Sequence, residues 1–370
     1  MNNPKKEKPS ALHVRPGVKA NHDGLTAEKL RRGGGVPRRA PLSAQDYING
    51  VLAGDRVKLA RAITLVESGA AAHQALAQEV LTALLPRRRP SRRVGITGVP
   101  GAGKSTFIEA LGTMLTGRGH KVAVLAVDPS SSLTGGSILG DKTRMEKLAA
   151  DPNAFIRPSP SGGTLGGVAR KTRETMVLFE AAGYDVILVE TVGVGQSEVL
   201  VRSMVDFFLL VLISGAGDEL QGIKKGVIEI ADAILINKAD GKGQKPAEIA
   251  RAEFDRVLHY LRPATEGWQT KAFTASALKN QGIADIWNVV GRFEEITTAS
   301  GVHAARRQDQ DRLWLHALVR EGLNELFENH RTVREMLPEL ERQVAAGELP
   351  ATLAARRLLE AFSALNPDFS

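Results

Sequence analysis

Eight residues close on a lysine and a serine: Gly98, Val99, Pro100, Gly101, Ala102, Gly103, Lys104 and Ser105, with Thr106 next. Their spacing, G-x-x-x-x-G-K-[ST], is that of a phosphate-binding P-loop. Glycines let successive backbone N–H groups turn inward as an anion-binding nest. A helix starting behind the nest adds partial positive charge. Lys104 is then expected to bridge the β- and γ-phosphates of a nucleoside triphosphate, and the Ser105 hydroxyl to ligate Mg²⁺. The plainer alternative is a Gly-rich strand-to-helix turn with an incidental lysine. The flanks favour the P-loop: residues 93–97 read as a buried strand and 106–116 as a helix.

A second group selects the base. Asn237, Lys238 and Asp240 form N-K-x-D at the end of an apolar run. A carboxylate at Asp240 can accept two parallel hydrogen bonds, from N1–H and from the exocyclic amine of guanine; adenine offers no such donor pair. Asn237 is expected to orient the loop and bond the base edge, with the Lys238 stem over the base face. Further on, Ser276, Ala277 and Leu278 end another apolar run, where a backbone N–H could meet the guanine carbonyl. In this order the motifs select GTP over ATP.

Three acids complete the set. Asp128 and Glu190 end apolar runs, and Asp141 lies in a polar stretch. Carboxylates there could hold Mg²⁺ directly or through water, and one could position the attacking water. Ser105, Asp128, Asp141 and Glu190 are the expected metal group; Lys104, Asp128 and Asp141 are the candidates for the hydrolytic step. The alternative for each acid is a cap on a helix or turn. Gly193 would let its loop move when a γ-phosphate is present.

Such residues need a scaffold that brings loops together. Runs apolar at every position, bounded by glycine and charge, predict strands at 94–97, 122–127, 154–156, 186–190, 207–213, 233–236 and 272–275. Strands of that kind are buried on both faces. The fold class is therefore α/β: a mostly parallel, doubly wound sheet with ligands at the carboxyl ends of its strands. Residues 43–92 read as a helical segment, with Ser43 and Asp55 as caps and Ser68-Gly69 as a break. Residues 93–300 read as the nucleotide domain, and 301–370 as helical again, over 309–327, 333–345 and 352–365. Leu313, Leu315, Leu318 and Val319, then Leu353, Leu358, Leu359 and Phe362, form apolar stripes that suit either a core or a subunit interface.

Composition narrows the function further. The 370 residues contain no cysteine, which excludes disulfides, thiolate metal sites and cysteine nucleophiles and suits a reducing cytoplasm. The longest wholly apolar run, 207–213, is too short to span a bilayer, and the amino terminus lacks the apolar segment of a secretory signal. Residues 1–42 carry +7 of the net +8, so the remainder is nearly neutral. A basic, Gly-rich arm of this kind is expected to be disordered. No aromatic residue is interleaved with its charges, so nucleic-acid binding has no support.

The run from Glu190 to Gly193 departs from the D-x-x-G common among GTPases. With V-D-P-S-S-S, L-G-D-K-T-R-M, E-T-V-G-V-G-Q-S-E and N-K-A-D, it resembles the GTPases associated with methylmalonyl-CoA mutase, the MeaB/ArgK type. The resemblance covers about residues 45 to 365 and is most specific between 94 and 240. It implies a homodimeric GTPase of the signal-recognition and metallochaperone superclass that dimerises through C-terminal helices. Members act as G-protein chaperones of an adenosylcobalamin-dependent acyl-CoA mutase, gating cofactor loading and answering to the mutase in GTP hydrolysis. It also implies that the stretch holding Asp218, Gln221 and Lys224 is an extra switch loop that communicates with the mutase. Two other readings compete. A kinase of amino-acid transport proteins is disfavoured by N-K-A-D, and a nickel-delivery GTPase by the lack of cysteine and the scatter of the eight histidines.

Overall fold

The computed structural model describes residues 42–127, 145–158, 165–191, 197–214 and 225–363. The chain divides after Leu42, and every element below lies in the second unit, Ser43–Ser370. Seven strands form one sheet: β1 (Arg92–Gly98), β2 (Val122–Val127), β3 (Ala154–Arg157), β4 (Val186–Thr191), β5 (Phe207–Ile213), β6 (Ala233–Asn237) and β7 (Lys271–Thr274). Their order is β3-β2-β4-β1-β5-β6-β7, and every pairing is parallel. All seven runs predicted as strands are strands. The reason is visible in β2, β4 and β6, whose residues are buried without exception, since helices cover both faces of a parallel sheet.

Helices α1 (Ala44–Leu52), α2 (Arg56–Glu67) and α3 (Ala71–Leu84) precede the sheet. Ser43 caps α1 in a reciprocal box with Asp46, and the Asp55 carboxylate accepts from Val57 N and Lys58 N at the start of α2. α4 (Lys104–Gly117) follows β1, the short α5 (Glu146–Ala150) precedes β3, and α6 (Leu165–Ala181) precedes β4. α2 and α3 pack on α6. Then come α7 (Ser197–Arg202), α8 (Lys225–Glu229), α9 (Gln244–Tyr260) and α10 (Ile283–Ala299). One face of the sheet packs Val94, Ile96, Leu188 and Leu209 against Phe107 and Leu111 of α4 and Val290 and Phe293 of α10. On the other face α9 covers β6, with Phe254 and Leu258 against Ile234 and Ile236. Each such fully buried side chain contributes about 1.5–3 kcal/mol.

The amino ends of the strands are closed by buried charge. Arg93 pairs with Glu180 at 2.7 Å. Asp206 accepts two bonds from the Arg307 guanidinium, at 2.8 and 2.7 Å, and a third from the backbone N–H of Arg93. Asp232, wholly buried, lies 3.3 Å from Arg202 and 3.6 Å from Arg306. His303, Arg306, Arg307 and Gln310 recur at helical spacing on one face of α11 (Val302–Glu328). This face corrects the expected boundary. The helix was predicted from residue 309, but Gly301, at φ 80°, starts it seven residues earlier. Those first turns read as polar because their side chains meet buried acids instead of apolar core.

α12 (Arg331–Ala345) and α13 (Ala351–Ser363) complete the chain. Val333, Leu340, Ala354 and Leu358 form a separate small core with Phe327 and Phe362. The two predicted stripes behave differently. Leu358 and Phe362 are packed while Leu353 and Leu359 of the same stripe are exposed, whereas Leu313, Leu315 and Val319 of α11 are each more than half exposed.

Candidate functional site

The glycine-rich run leaves the carboxyl end of β1, which lies between β4 and β5 near the middle of the sheet. Two of its glycines are required by geometry. Gly98 has φ 147°, and a Cβ there would lie 1.9 Å from the Val211 carbonyl oxygen of β5. Gly103 has φ 85° and caps α4; a Cβ would lie 2.7 Å from Asn237 Nδ2. Ala102 is buried in the main core, Val99 packs against that core, and Pro100, Gly101 and Thr106 are exposed. The loop is thus anchored at Gly98, Ala102 and Lys104 while Pro100, Gly101 and Thr106 remain exposed.

Lys104 is 8 % exposed, and its Nζ donates to the carbonyls of Gly98 at 2.8 Å and Val99 at 3.2 Å. Its ammonium therefore lies over the loop that its backbone begins to leave. Beside it, Ser105 Oγ donates to Glu190 Oε1 at 3.1 Å. Below this pair Thr97 and Thr191, both fully buried, share a hydroxyl hydrogen bond of 2.7 Å between β1 and β4. That link was not singled out from the sequence. Its only sequence signal is a threonine near the end of each of two apolar strands.

The base motifs converge from two further strands. Asn237 ends β6 and is 1 % exposed. Its Nδ2 donates to Ala102 O at 2.8 Å, and its Oδ1 accepts from Ala277 N at 3.1 Å. One amide thus joins the phosphate loop to the Ser276–Leu278 stretch. Asn237, expected to orient its loop and to bond the base edge, here accepts the Ala277 N–H of the stretch expected to meet the guanine carbonyl. Ser276, fully buried, donates its hydroxyl to Asp240 Oδ1 at 2.8 Å. Lys238 adopts φ 59° and is exposed, with its Cε beside Gly103, while Leu278 is 76 % exposed.

Phosphate and base motifs separated by more than 130 residues of sequence are in hydrogen-bond contact through Asn237. Asp128, Asp141, Gly193, Asp218, Gln221 and Lys224 lie outside the described residues. Ser105 and Glu190 present only oxygen, which suits Mg²⁺, a hard cation that keeps waters and takes few protein ligands. Among the described residues no group of three or more His, Cys, Asp or Glu could hold a metal by itself.

Comparison with known proteins agrees with this geometry. The family described as methylmalonyl Co-A mutase-associated GTPase MeaB matches residues 59–332. The Escherichia coli protein named GTPase ArgK is 53 % identical over 277 residues, covering 75 % of this chain and 84 % of that one. The mitochondrial methylmalonic aciduria type A homolog of Mus musculus is 49 % identical over 323 residues, covering 85 % and 78 %. A crystal structure described as LAO/AO transport system kinase is 42 % identical, with a TM-score of 0.69 over 86 % of this chain and 97 % of that one. The fold and the order of the motifs along it are those of a guanine-nucleotide enzyme that hydrolyses GTP, and the chain belongs to the methylmalonyl Co-A mutase-associated GTPase MeaB family.

Proposed function

We propose that this GTPase is a G-protein chaperone of an adenosylcobalamin-dependent acyl-CoA mutase, with methylmalonyl-CoA mutase as the first candidate client. The observation that carries the reading is the match over residues 59–332 to a family named for that association. The mouse relative, named for methylmalonic aciduria, supports it.

The site residues take the following roles. Backbone N–H groups of residues 98–106 other than Pro100 cradle the phosphates, and Lys104 moves from the Gly98 and Val99 carbonyls to the β- and γ-phosphates. Ser105 and Glu190, with Asp128 and Asp141, would hold Mg²⁺, which when bound neutralises charge developing on the phosphates. Asp128 or Asp141 orients the attacking water. Asp240 reads the guanine edge while Ser276 holds its carboxylate, and the Lys238 stem covers the base. Asn237 fixes the two loops against each other, leaving Ala277 and Leu278 to frame the guanine carbonyl.

Residues 1–42 are a basic tail, 43–92 a helical segment, 93–300 the GTPase domain and 301–370 a dimerisation segment. Support for a homodimer comes from α11, where Leu315, Val319, Leu323 and Leu326 form an exposed apolar row at helical spacing. Among the described residues no helix is long and apolar enough to cross a membrane. A cytoplasmic setting and a protein partner fit best, with no role for nucleic acid.

The test is to incubate the protein with methylmalonyl-, isobutyryl- and hydroxyisobutyryl-type mutases and measure GTP turnover. One mutase should accelerate it strongly, and stimulation by none would overturn the reading. Alanine at Asp218, Gln221 or Lys224 should cut the stimulated rate and spare the intrinsic one.

A further inference from the structure

The strand that delivers Ser276 and Ala277 is β7, at the edge of the sheet. Toward β6 it is held by the ladder. On its outer side lies a groove of about 520 Å³ lined by Arg251, Asp255, His259, Lys271 and Asp285, and among the described residues no further strand fixes it there. Instead, one face of α9 grips it. Asp255 Oδ1 accepts the outward N–H of Ala272 at 2.9 Å, and Glu248 Oε1 accepts the Thr274 hydroxyl at 3.1 Å. Arg251, between them on the helix, donates to Glu248 at 3.0 Å and to Asp255 at 2.8 Å. Two carboxylates tied by one guanidinium thus hold alternate residues of an edge strand.

Both ends of α9 matter to the base motifs. Its amino end follows directly on Asp240 through the turn Gly241–Gly243. Its later turns, through Asp255 and Ala272, set how far β7 reaches, and two residues beyond Thr274 stands the Ser276 hydroxyl that holds Asp240 at 2.8 Å. We propose that Glu248, Arg251 and Asp255 are positioning residues for guanine recognition. They fix β7 along its length so that Ser276 presents the Asp240 carboxylate, and Ala277 the Asn237 amide, at the spacing the base requires. The inference rests on the assignment of Asp240 to the base. Ion pairs this exposed add little to stability, so their effect belongs in selectivity more than in folding.

The experiment compares GTP with ITP, whose base lacks the exocyclic amine, in equilibrium binding and steady-state hydrolysis. Asp255→Ala removes the acceptor of the Ala272 N–H. It should weaken GTP binding by about three- to tenfold, narrow the GTP-to-ITP preference, and leave kcat at saturating GTP unchanged. Asp255→Asn keeps an acceptor oxygen and should retain most of the preference. Asp240→Ala serves as the control and should erase it. If Asp240→Ala erases the preference while Asp255→Ala matches wild type, the positioning role is overturned and the base site stands. An unchanged preference in Asp240→Ala overturns the base assignment itself. A parallel loss of kcat and melting temperature in both Asp255 variants would mark a plain structural contact and also overturn the proposal.

Discussion

The two ends of the sheet handle charge in opposite ways. At the amino ends of the strands each buried acid has its own arginine: Glu180 has Arg93, Asp206 has Arg307, and Asp232 has Arg202 and Arg306. At the carboxyl ends the buried cation Lys104 is bonded to backbone carbonyls of its own loop, and Glu190 to a serine hydroxyl. The first arrangement is closed: charges neutralise one another inside the protein and set where α11 sits. The second is exchangeable, because a phosphate oxygen can replace a carbonyl as the lysine's acceptor. Rigidity at one end lets the other be reorganised without loss of the fold.

The largest effect that tests this contrast is expected at the exchangeable end. Lys104→Ala should lower GTP hydrolysis by roughly 10²–10³-fold or more, because the lysine is the cation expected to neutralise the β- and γ-phosphates as the bond breaks. Its melting temperature should stay near wild type, since the lysine's bonds to the Gly98 and Val99 carbonyls stay within its own loop. Phosphate release and thermal denaturation measure the two. A large loss of stability would erase the contrast.

Next is the closed end. Arg307→Ala removes two of the bonds to Asp206 and should destabilise the fold by roughly 3 kcal/mol in urea titrations. Turnover per folded molecule should hold. Burial alone would push the Asp206 carboxyl up, but hydrogen bonds from Arg307 and His303 and the charges of Arg307 and Arg93 hold it far below the usual carboxylate range. A lowered carboxyl contributes stability that is present at neutral pH and is lost as pH falls below the ordinary carboxylate range. The wild type should lose that contribution in acid, and Arg307→Ala should have less of it to lose.

The smallest effect sharpens the comparison at a third place, where burial outweighs the partners of an acid. Glu174 of α6 is 6 % exposed, and burial pushes its carboxyl up to about 7, against the charge of Arg170 and a bond from Gln78, with Glu321 adding repulsion. The folded state then holds a proton that the unfolded state releases from its ordinary value of 4.5. Stability should fall as pH rises from about 4.5 to about 7 and level off above, by at most about 3 kcal/mol. Glu174→Gln should remove that slope. Urea midpoints at pH 5 and pH 8 measure it, and equal slopes in the two proteins would mean that burial does not raise the Glu174 carboxyl.

Legibility in the sequence followed the range of the physics. The strands were readable because a strand buried on both faces must be apolar at every position, as in β4 and β6. The caps at Ser43 and Asp55 were readable because capping acts over three residues. The start of α11 was not, since Arg306 and Arg307 look like solvent-facing residues until Asp206 and Asp232 are placed opposite them. Nor did the pattern of Leu313, Leu315 and Val319 distinguish core from surface; only their exposure in the folded chain does.

By itself the sequence determined the chemistry. Lys104, Ser105, Asn237, Lys238 and Asp240 stand in spacings that backbone geometry makes specific, because a nest of N–H groups, and the carboxylate proposed to read the base, are each set within a few consecutive residues. Only the tertiary structure decided how those pieces are joined. That Asn237 ties Ala102 to Ala277, that Thr97 meets Thr191, and that Asp255 holds β7 all depend on strand order and register. Such contacts pair residues from 17 to 135 positions apart, and no local spacing encodes them, since each side chain finds its partner only once the sheet has assembled.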